Sequence, residues 1–322
     1  MVKRVARGRV SKPGPALQHG KYLFVVTFLV LPVGIYGLFT VSPYIQAIFI
    51  SLTDWTGLTA SQKFVGFANY TKLFHDDQFM VALKNNAILL VIVPAVTVLL
   101  GLFFASMLNI GRRGKSGIEG VRGSRIYRVV YFFPQVLSVA IVGVLFKYVF
   151  APTASGGILN SFLNGIGLGS LTKSWLGDPD FALWCVVAVM IWFFVGFYVV
   201  LFSAAMQSIP KDIYEAALLD GATRYATFVR VTLPLVWDTV QVGWVYMAIQ
   251  AMDAFALVHV MLGISGGPAQ AGDVMGVAMY RSAFNDYRFG YASAIGVVLL
   301  ILTLLVALIF LRLARRERVE LS

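Results

Sequence analysis

Residues 182–206 read ALWCVVAVMIWFFVGFYVVLFSAAM, twenty-five positions without a single charged side chain. A bilayer core about 30 Å thick takes roughly 20 mostly apolar residues in helical form, so this run is long enough to cross it. Five further stretches, at about 22–41, 86–109, 129–150, 236–262 and 290–311, have the same character. Their Pro and Gly interruptions are of the kind membrane helices tolerate. Hydrophobic residues make up 59% of the 322 and charged residues 13%, about half the ~25% of a soluble domain. A soluble fold could not hide so much apolar surface. The sequence therefore predicts an all-α membrane protein with six transmembrane helices. Cys185 is the lone cysteine, which excludes an internal disulfide and a thiolate metal cluster. Inside an apolar run it reads as a small buried hydrophobe.

The net charge of +11 could suggest a nucleic-acid partner, but the charge gathers in short segments between the apolar runs, as membrane topology requires. Lys3, Arg4, Arg7, Arg9, Lys12 and Lys21 precede the first run. Arg112, Arg113, Lys115, Arg122, Arg125 and Arg128 follow the second. Lys211, Arg224 and Arg230 lie between the fourth and fifth, and Arg312, Arg315, Arg316 and Arg318 end the chain. These are 19 of the 26 basic residues, all on one side of a six-span topology. Both termini are expected in the cytoplasm, with 1–21 and 312–322 as cytoplasmic tails around a six-span domain of 22–311. The first run is long, is followed by no A-x-A site, and gives way at Pro43 to a new segment. It reads as an uncleaved span rather than a signal peptide.

The segment 207–235, between the fourth and fifth runs, has moderate charge and helical patterning. Ile213, Ala216, Ala217 and Asp220 fall at i, i+3, i+4 and i+7, predicting a short helix over 211–219. Gly221 stands where that helix must stop and the chain turn. A second helix is expected from Ala222 to Val231, ending before Pro234.

Several local motifs carry no chemistry. Gly114-Lys115-Ser116 resembles the end of a phosphate loop, but the glycine required five residues earlier is Asn109 and a membrane helix precedes it instead of a strand. Asn69-Tyr70-Thr71 is a chance match to a glycosylation triplet. His19, His75 and His259 lack ligand spacing, so no metal site is expected.

Ionisable and polar groups inside spans are costly and mark candidate sites. Asp238, near the end of its span, reads as structural. Tyr246, Gln250 and Asp253 fall at i, i+4 and i+7, one stripe on the fifth span. Tyr131, Gln135 and Ser138 repeat that spacing in the third, and Trp192 and Tyr198 add hydrogen-bonding aromatics in the fourth. Such groups either bond between helices or line a pathway. A lining of this kind suits a polyhydroxylated solute, which needs hydrogen bonds and aromatic faces more than a fixed charge.

The stretch Gln207-Ser-Ile-Pro-Lys-Asp-Ile-Tyr-Glu-Ala-Ala-Leu-Leu-Asp-Gly-Ala222, with Phe228 and Thr232-Leu-Pro-Leu235, resembles the EAA loop of bacterial ATP-binding-cassette importer permeases. Asn85, Arg128 with Phe133-Pro134, Gly157-Ile-Leu-Asn160, Trp175-Leu-Gly-Asp-Pro179, Gly266-Gly-Pro268 and Gly290-Tyr-Ala-Ser-Ala294 extend the resemblance over most of the chain. Asp253-Ala-Phe followed by Gly-Gly-Pro is similar to the first permease of maltose-type sugar importers. Asn86 departs from the family, which commonly has Thr there.

The resemblance implies a type I importer permease fold with a cytoplasmic coupling helix. It implies a second permease, a dimer of cassette ATPases, an extracellular or periplasmic sugar-binding protein, and a di- or oligosaccharide substrate, in a bacterial plasma membrane. It places ATP and Mg2+ on the ATPase, with no cofactor and no catalysis on this chain. Tyr214, Glu215, Ala216, Ala217, Asp220, Gly221, Ala222, Phe228 and Pro234 become the ATPase-coupling residues. Small Ala216 and Ala217 would permit close approach, and Glu215 would face a basic partner. The alternatives are an ion-coupled secondary carrier, which would want inverted repeats and more buried acids than Asp253, and a membrane-embedded enzyme, which would need clustered catalytic groups.

Overall fold

The computed structural model describes residues 15–109, 112–114, 117–119 and 123–314. The outermost tails, and Lys115 and Ser116 of the phosphate-loop look-alike, lie outside the described residues. The chain divides into two compact units at Phe49/Ile50.

The first unit is one long helix: α1 (Pro15–Tyr36), a π-turn (Gly37–Val41) and α2 (Ser42–Ser51), the last turn of α2 entering the second unit. The apolar span therefore runs over Phe24–Ser51 and does not stop near residue 41. Pro43 does not begin a new segment. A proline has no N–H for the ladder, and its ring crowds the carbonyl four residues back. The wider π-turn just before it absorbs both, with the Ser42 N–H bonded to the Gly37 carbonyl, five residues back.

The second unit begins with α3 (Ala68–Leu73) and α4 (Asp77–Asn109). The basic segment after α4 carries two three-residue strands, β1 (Arg112–Gly114) and β2 (Gly117–Glu119), paired antiparallel. Then follow α5 (Ser124–Phe132), α6 (Val139–Val149), α7 (Ile158–Gly165), α8 (Pro179–Gln207), α9 (Lys211–Leu219), α10 (Arg224–Thr227), α11 (Leu233–Leu235), α12 (Trp237–Met252), α13 (Phe255–Leu262), α14 (Met275–Phe284) and α15 (Phe289–Ala314). Among the described residues four helical stretches are long and apolar enough to cross a membrane, or up to six if each of two bent pairs is one span.

The helices α4 and α8 pack along each other, α12 lies against α4 and α15, and α13 lies against α6. Their shared core includes Leu89, Val93, Val186, Val189, Phe202 and Met247, all essentially inaccessible. Between membrane helices there is no water to expel, so close approach and dispersion drive association. At Gly196 of α8 the backbone of α5 comes so near that an added Cβ would fall on the Tyr131 carbonyl.

Two of the expected spans are not single helices. The third is α5 and α6, bent by 96° through a 3-10 turn over Phe133–Val136. Pro134 cannot continue the ladder, and Leu137 and Ser138 are extended before α6 starts. The fifth is α12 and α13, bent by 43° at Asp253–Ala254. At this break no proline or glycine intervenes.

Candidate functional site

The segment between α8 and α12 forms a compact knob. Pro210 precedes α9, and the Asp212 carboxylate in its first turn complements the helix dipole. The helix ends on a hydrogen-bonded glycine cap. Gly221 has φ +76°, its N–H donates to the Leu218 carbonyl at 3.1 Å, and the Ala222 N–H donates to the Ala217 carbonyl at 3.0 Å. This is the Schellman arrangement, and it calls for a left-handed residue at Gly221.

Thr223 then caps α10, its hydroxyl accepting from the Ala226 N–H. The expected second helix thus starts at Arg224, not at Ala222. It also does not end before Pro234, because a π-turn over Phe228–Thr232 admits the proline into α11, as at Pro43.

The face of α9 differs from the one read from spacing. Ile213 and Tyr214 turn inward against the main core, with Ala217 and Leu218 beside them, whereas Glu215, Ala216, Leu219, Asp220 and Gly221 are exposed. Leu219 is 89% accessible, an unusual place for a leucine. The Thr232 hydroxyl lies 3.3 Å from the Tyr214 hydroxyl, tying α9 to the turn that leads into α12. Burial pushes the Tyr214 phenol up from its ordinary value, against the opposing effect of that hydrogen bond, so it stays protonated at neutral pH. Phe228 packs on the same core, and Pro234 is exposed.

At this end of the bundle, the Asn109 amide donates to the Ser203 hydroxyl at 3.0 Å, and the Gln207 amide lies 2.9 Å from Asn109. With its carbonyl turned toward Arg128, Gln207 accepts from that guanidinium at 2.8 Å. The C-terminal ends of α4 and α8 are thereby joined to each other and to α5.

The polar stripes are divided by the structure. Tyr198 is fully buried and donates its hydroxyl to the Gly243 carbonyl at 2.9 Å. It ties α8 to α12 and cannot face a solute, which corrects its placement among the pathway residues. Gln135 donates to the Phe193 carbonyl at 2.9 Å, bracing the bend of the third span against α8. Tyr131 rests on Phe104. Ser138 is exposed at the start of α6 and Trp192 is exposed with its edge on Phe146. On α12, Tyr246 is exposed beside Phe197, and Gln250 is half-buried. Asp253 is exposed too, but it is the cap of α12 at φ −94°, ψ 46°, and so does not continue a straight helical stripe. Asp238 is exposed in the first turn of α12, where a carboxylate favours the helix dipole.

Sequence reasoning passed over the groups that hold the far end together. Asn85 of α4 donates to the carbonyls of Ala271 and Asp273. Asn86 donates to the Met252 carbonyl at 3.3 Å and accepts from the Met275 N–H at 2.8 Å. Asp273, inaccessible to solvent, pairs with Arg281, and burial raises its carboxyl from the ordinary value despite that partner. Asn160 accepts from the Trp175 indole at 2.8 Å and donates to the Lys173 carbonyl, so two of the quoted motifs meet in one buried knot. Asp178 and Pro179 then start α8 as N-cap and first residue. Asn69 gives its amide to the Ser51 and Thr53 carbonyls, which leaves no nitrogen for a glycan.

Comparison with known proteins adds to this geometry. Residues 97–319 match the family model described as the binding-protein-dependent transport system inner membrane component. The chain is 40% identical over 312 residues to the diacetylchitobiose uptake system permease protein NgcF of Streptomyces coelicolor, covering 93% of this chain and 88% of that one. It is 32% identical over 293 residues to the multiple sugar-binding transport system permease protein MsmF of Streptococcus mutans, covering 91% and 96%. Its fold matches a chain in the crystal structure of a bacterial alginate ABC transporter in complex with an alginate-pentasaccharide-bound periplasmic protein. There the TM-score is 0.75 at 24% identity, over 93% of this chain and 96% of that one.

Proposed function

Because the chain belongs to the binding-protein-dependent transport system inner membrane component family, we propose that it is one of two permeases of an ATP-driven importer for a di- or oligosaccharide. The second permease completes the translocation pathway, and an external binding protein delivers the sugar. A pair of cassette ATPases, holding ATP and Mg2+, docks on the knob, which lies on the cytoplasmic side with both termini in a bacterial plasma membrane. This chain carries no catalytic group and no cofactor. An ion-coupled secondary carrier is disfavoured by the family.

One observation carries the coupling role. The knob presents an exposed face of α9, with Glu215, Ala216 and Leu219, whose opposite face is fixed through Tyr214 and Thr232 to the root of α12. A displacement of α9 by the ATPase therefore reaches α12, and with it Tyr246 and Gln250. Small Ala216 lets a partner approach, and Leu219 supplies an apolar anchor. Tyr246 and Gln250, accessible near the break, offer an aromatic face and an amide to a neutral sugar and so hold it weakly.

The test uses the complete transporter in proteoliposomes. Tyr246→Ala and Gln250→Ala should assemble and hydrolyse ATP normally while uptake falls or changes sugar preference. If both variants instead lower assembly and leave apparent sugar affinity unchanged, these side chains only hold helices together and the pathway assignment is wrong.

A further inference from the structure

The segment from the end of α12 to the start of α14 leaves the bundle and returns to it, and both of its ends close on one residue. Met252 is the last residue of α12 and Met275 the first of α14. A helix ends with carbonyls that lack intrahelical donors and starts with N–H groups that lack intrahelical acceptors. Asn86 meets one of each: its Nδ2 donates to the Met252 carbonyl, and its Oδ1 accepts from the Met275 N–H. Asn86 is itself buried, 1% accessible. The adjacent Asn85 holds the carbonyls of Ala271 and Asp273 on the same stretch of α4. Asp273 also accepts from the Val274 N–H and pairs with Arg281, which in turn donates to the Ile264 carbonyl. The excursion through α13 and the loop 263–274 is thus closed at its base and stapled to span two.

We propose that Asn86 is a positioning residue for transport, holding the break of span five so that α12 pivots at Asp253–Ala254 against an outer half fixed to span two. This rests on the importer reading above and deepens it. The break carries no proline or glycine of its own, so its geometry depends on what receives the Met252 carbonyl. A side chain with both a donor and an acceptor at its tip is required to serve both ends, and an amide supplies them where a carboxylate supplies acceptors alone. Gln250 lies on the pivoting side, two residues before that carbonyl, and Asp253 lies at the pivot. If the pivot point drifts, movement of the knob no longer delivers a defined displacement to them.

The experiment compares Asn86→Asp and Asn86→Leu with the unaltered chain in the complete transporter, reconstituted with its binding protein. Asn86→Asp keeps an acceptor for the Met275 N–H and loses the donor to Met252. Asn86→Leu is close in size and keeps neither bond. Three quantities are read in each assembled complex: binding-protein-stimulated ATP hydrolysis, sugar uptake, and their ratio. The expected result is near-normal hydrolysis with uptake per ATP reduced about tenfold, the change that follows when an equilibrium between conformations loses one buried hydrogen bond. A residue serving stability alone would lower the yield of complex, and hydrolysis and uptake would fall together with the ratio unchanged. That unchanged ratio, in whichever of the two variants assembles, overturns the proposal. Gln250→Ala in the same assay separates the two readings, since its failure to alter uptake removes the pathway assignment whatever Asn86 does.

Discussion

Replacing Gly221 with valine tests the knob most directly. An added Cβ at Gly221 would meet nothing within 4 Å among the described residues. The whole cost comes from the backbone, held at φ +76°. Left-handed conformation costs an ordinary residue about 1–2 kcal/mol, and a β-branched one is a genuine outlier there. If the turn opens instead, the hydrogen bonds to the Leu218 and Ala217 carbonyls are lost, at about 0.5–1.5 kcal/mol each. Either route costs about 2 kcal/mol, far below the ~5–15 kcal/mol that holds a domain together. The variant should therefore insert and fold, but the docking-competent knob becomes the minor form. At about 1.4 kcal/mol per decade, affinity for the ATPase should fall roughly 20–30-fold. Titrating purified ATPase against membranes holding the variant measures this, with uptake recorded in parallel. The order expected is Gly221, then Asn, then Ala, then Val, because Asn tolerates the left-handed region better than Ala. Normal docking by Gly221→Val refutes the turn. An Asn variant as damaged as Val refutes the backbone origin of the effect and points to a clash with the partner.

Glu215→Ala should weaken ATPase docking by no more than about 1 kcal/mol, since an exposed ion pair is worth about that at most; a loss as deep as that of Gly221→Val would show Glu215 to be buried and paired in the complex. Gly196→Val places a side chain on the Tyr131 carbonyl, so α5 and α8 must separate at a cost of about 1–3 kcal/mol or more. A thermal melt of the detergent-solubilised chain should shift down clearly, and an unchanged midpoint would contradict the close approach. Reporter fusions after Arg113 and Ser208 should read cytoplasmic, and those near Gln62, Lys173 and Ala271 external; an external signal at Ser208 would remove the coupling role.

The membrane class, the long apolar helices and the limits of α9 were legible because they rest on local signals. Apolar runs of bilayer length, a glycine at a helix end, and clustered basic residues do not depend on distant contacts. The face of α9 was less legible. Alanines read equally well as inward or outward, and only the packing of Ile213 and Tyr214 on the core decided it. The bend in span three had a marker, Pro134, whose consequence was underestimated because membrane helices often absorb a proline. Pro43 and Pro234 show the other outcome, each admitted by a π-turn immediately before it. The break in span five had no marker within the span. Its supporting group, Asn86, lies 166 positions away in sequence from Met252, and no period or spacing connects two such sites.

That asymmetry follows from what each part must do. A uniform apolar helix satisfies all its backbone groups internally, which suits a wall. A helix that must bend in place exposes a carbonyl or an N–H, and in a bilayer each such group needs a partner from elsewhere in the protein. At the break of span five that partner is a side-chain amide, Asn86 on the Met252 carbonyl; at the bend of span three Gln135 instead gives its own amide to the Phe193 carbonyl of α8. Both lie on helices packed against α8 or α12, so the irregular points are tied to the two long elements that flank the knob. Tyr198 of α8, with its hydroxyl on the Gly243 carbonyl, ties α8 to α12 at one further point. In the coupling proposed above, a push on α9 would enter through Tyr214 and Thr232, be carried by α12 as a stiff rod, and be released where the rod is broken. The position of Gln250 and Asp253 next to that break, rather than their spacing along an unbroken stripe, is what makes them the side chains best placed to respond.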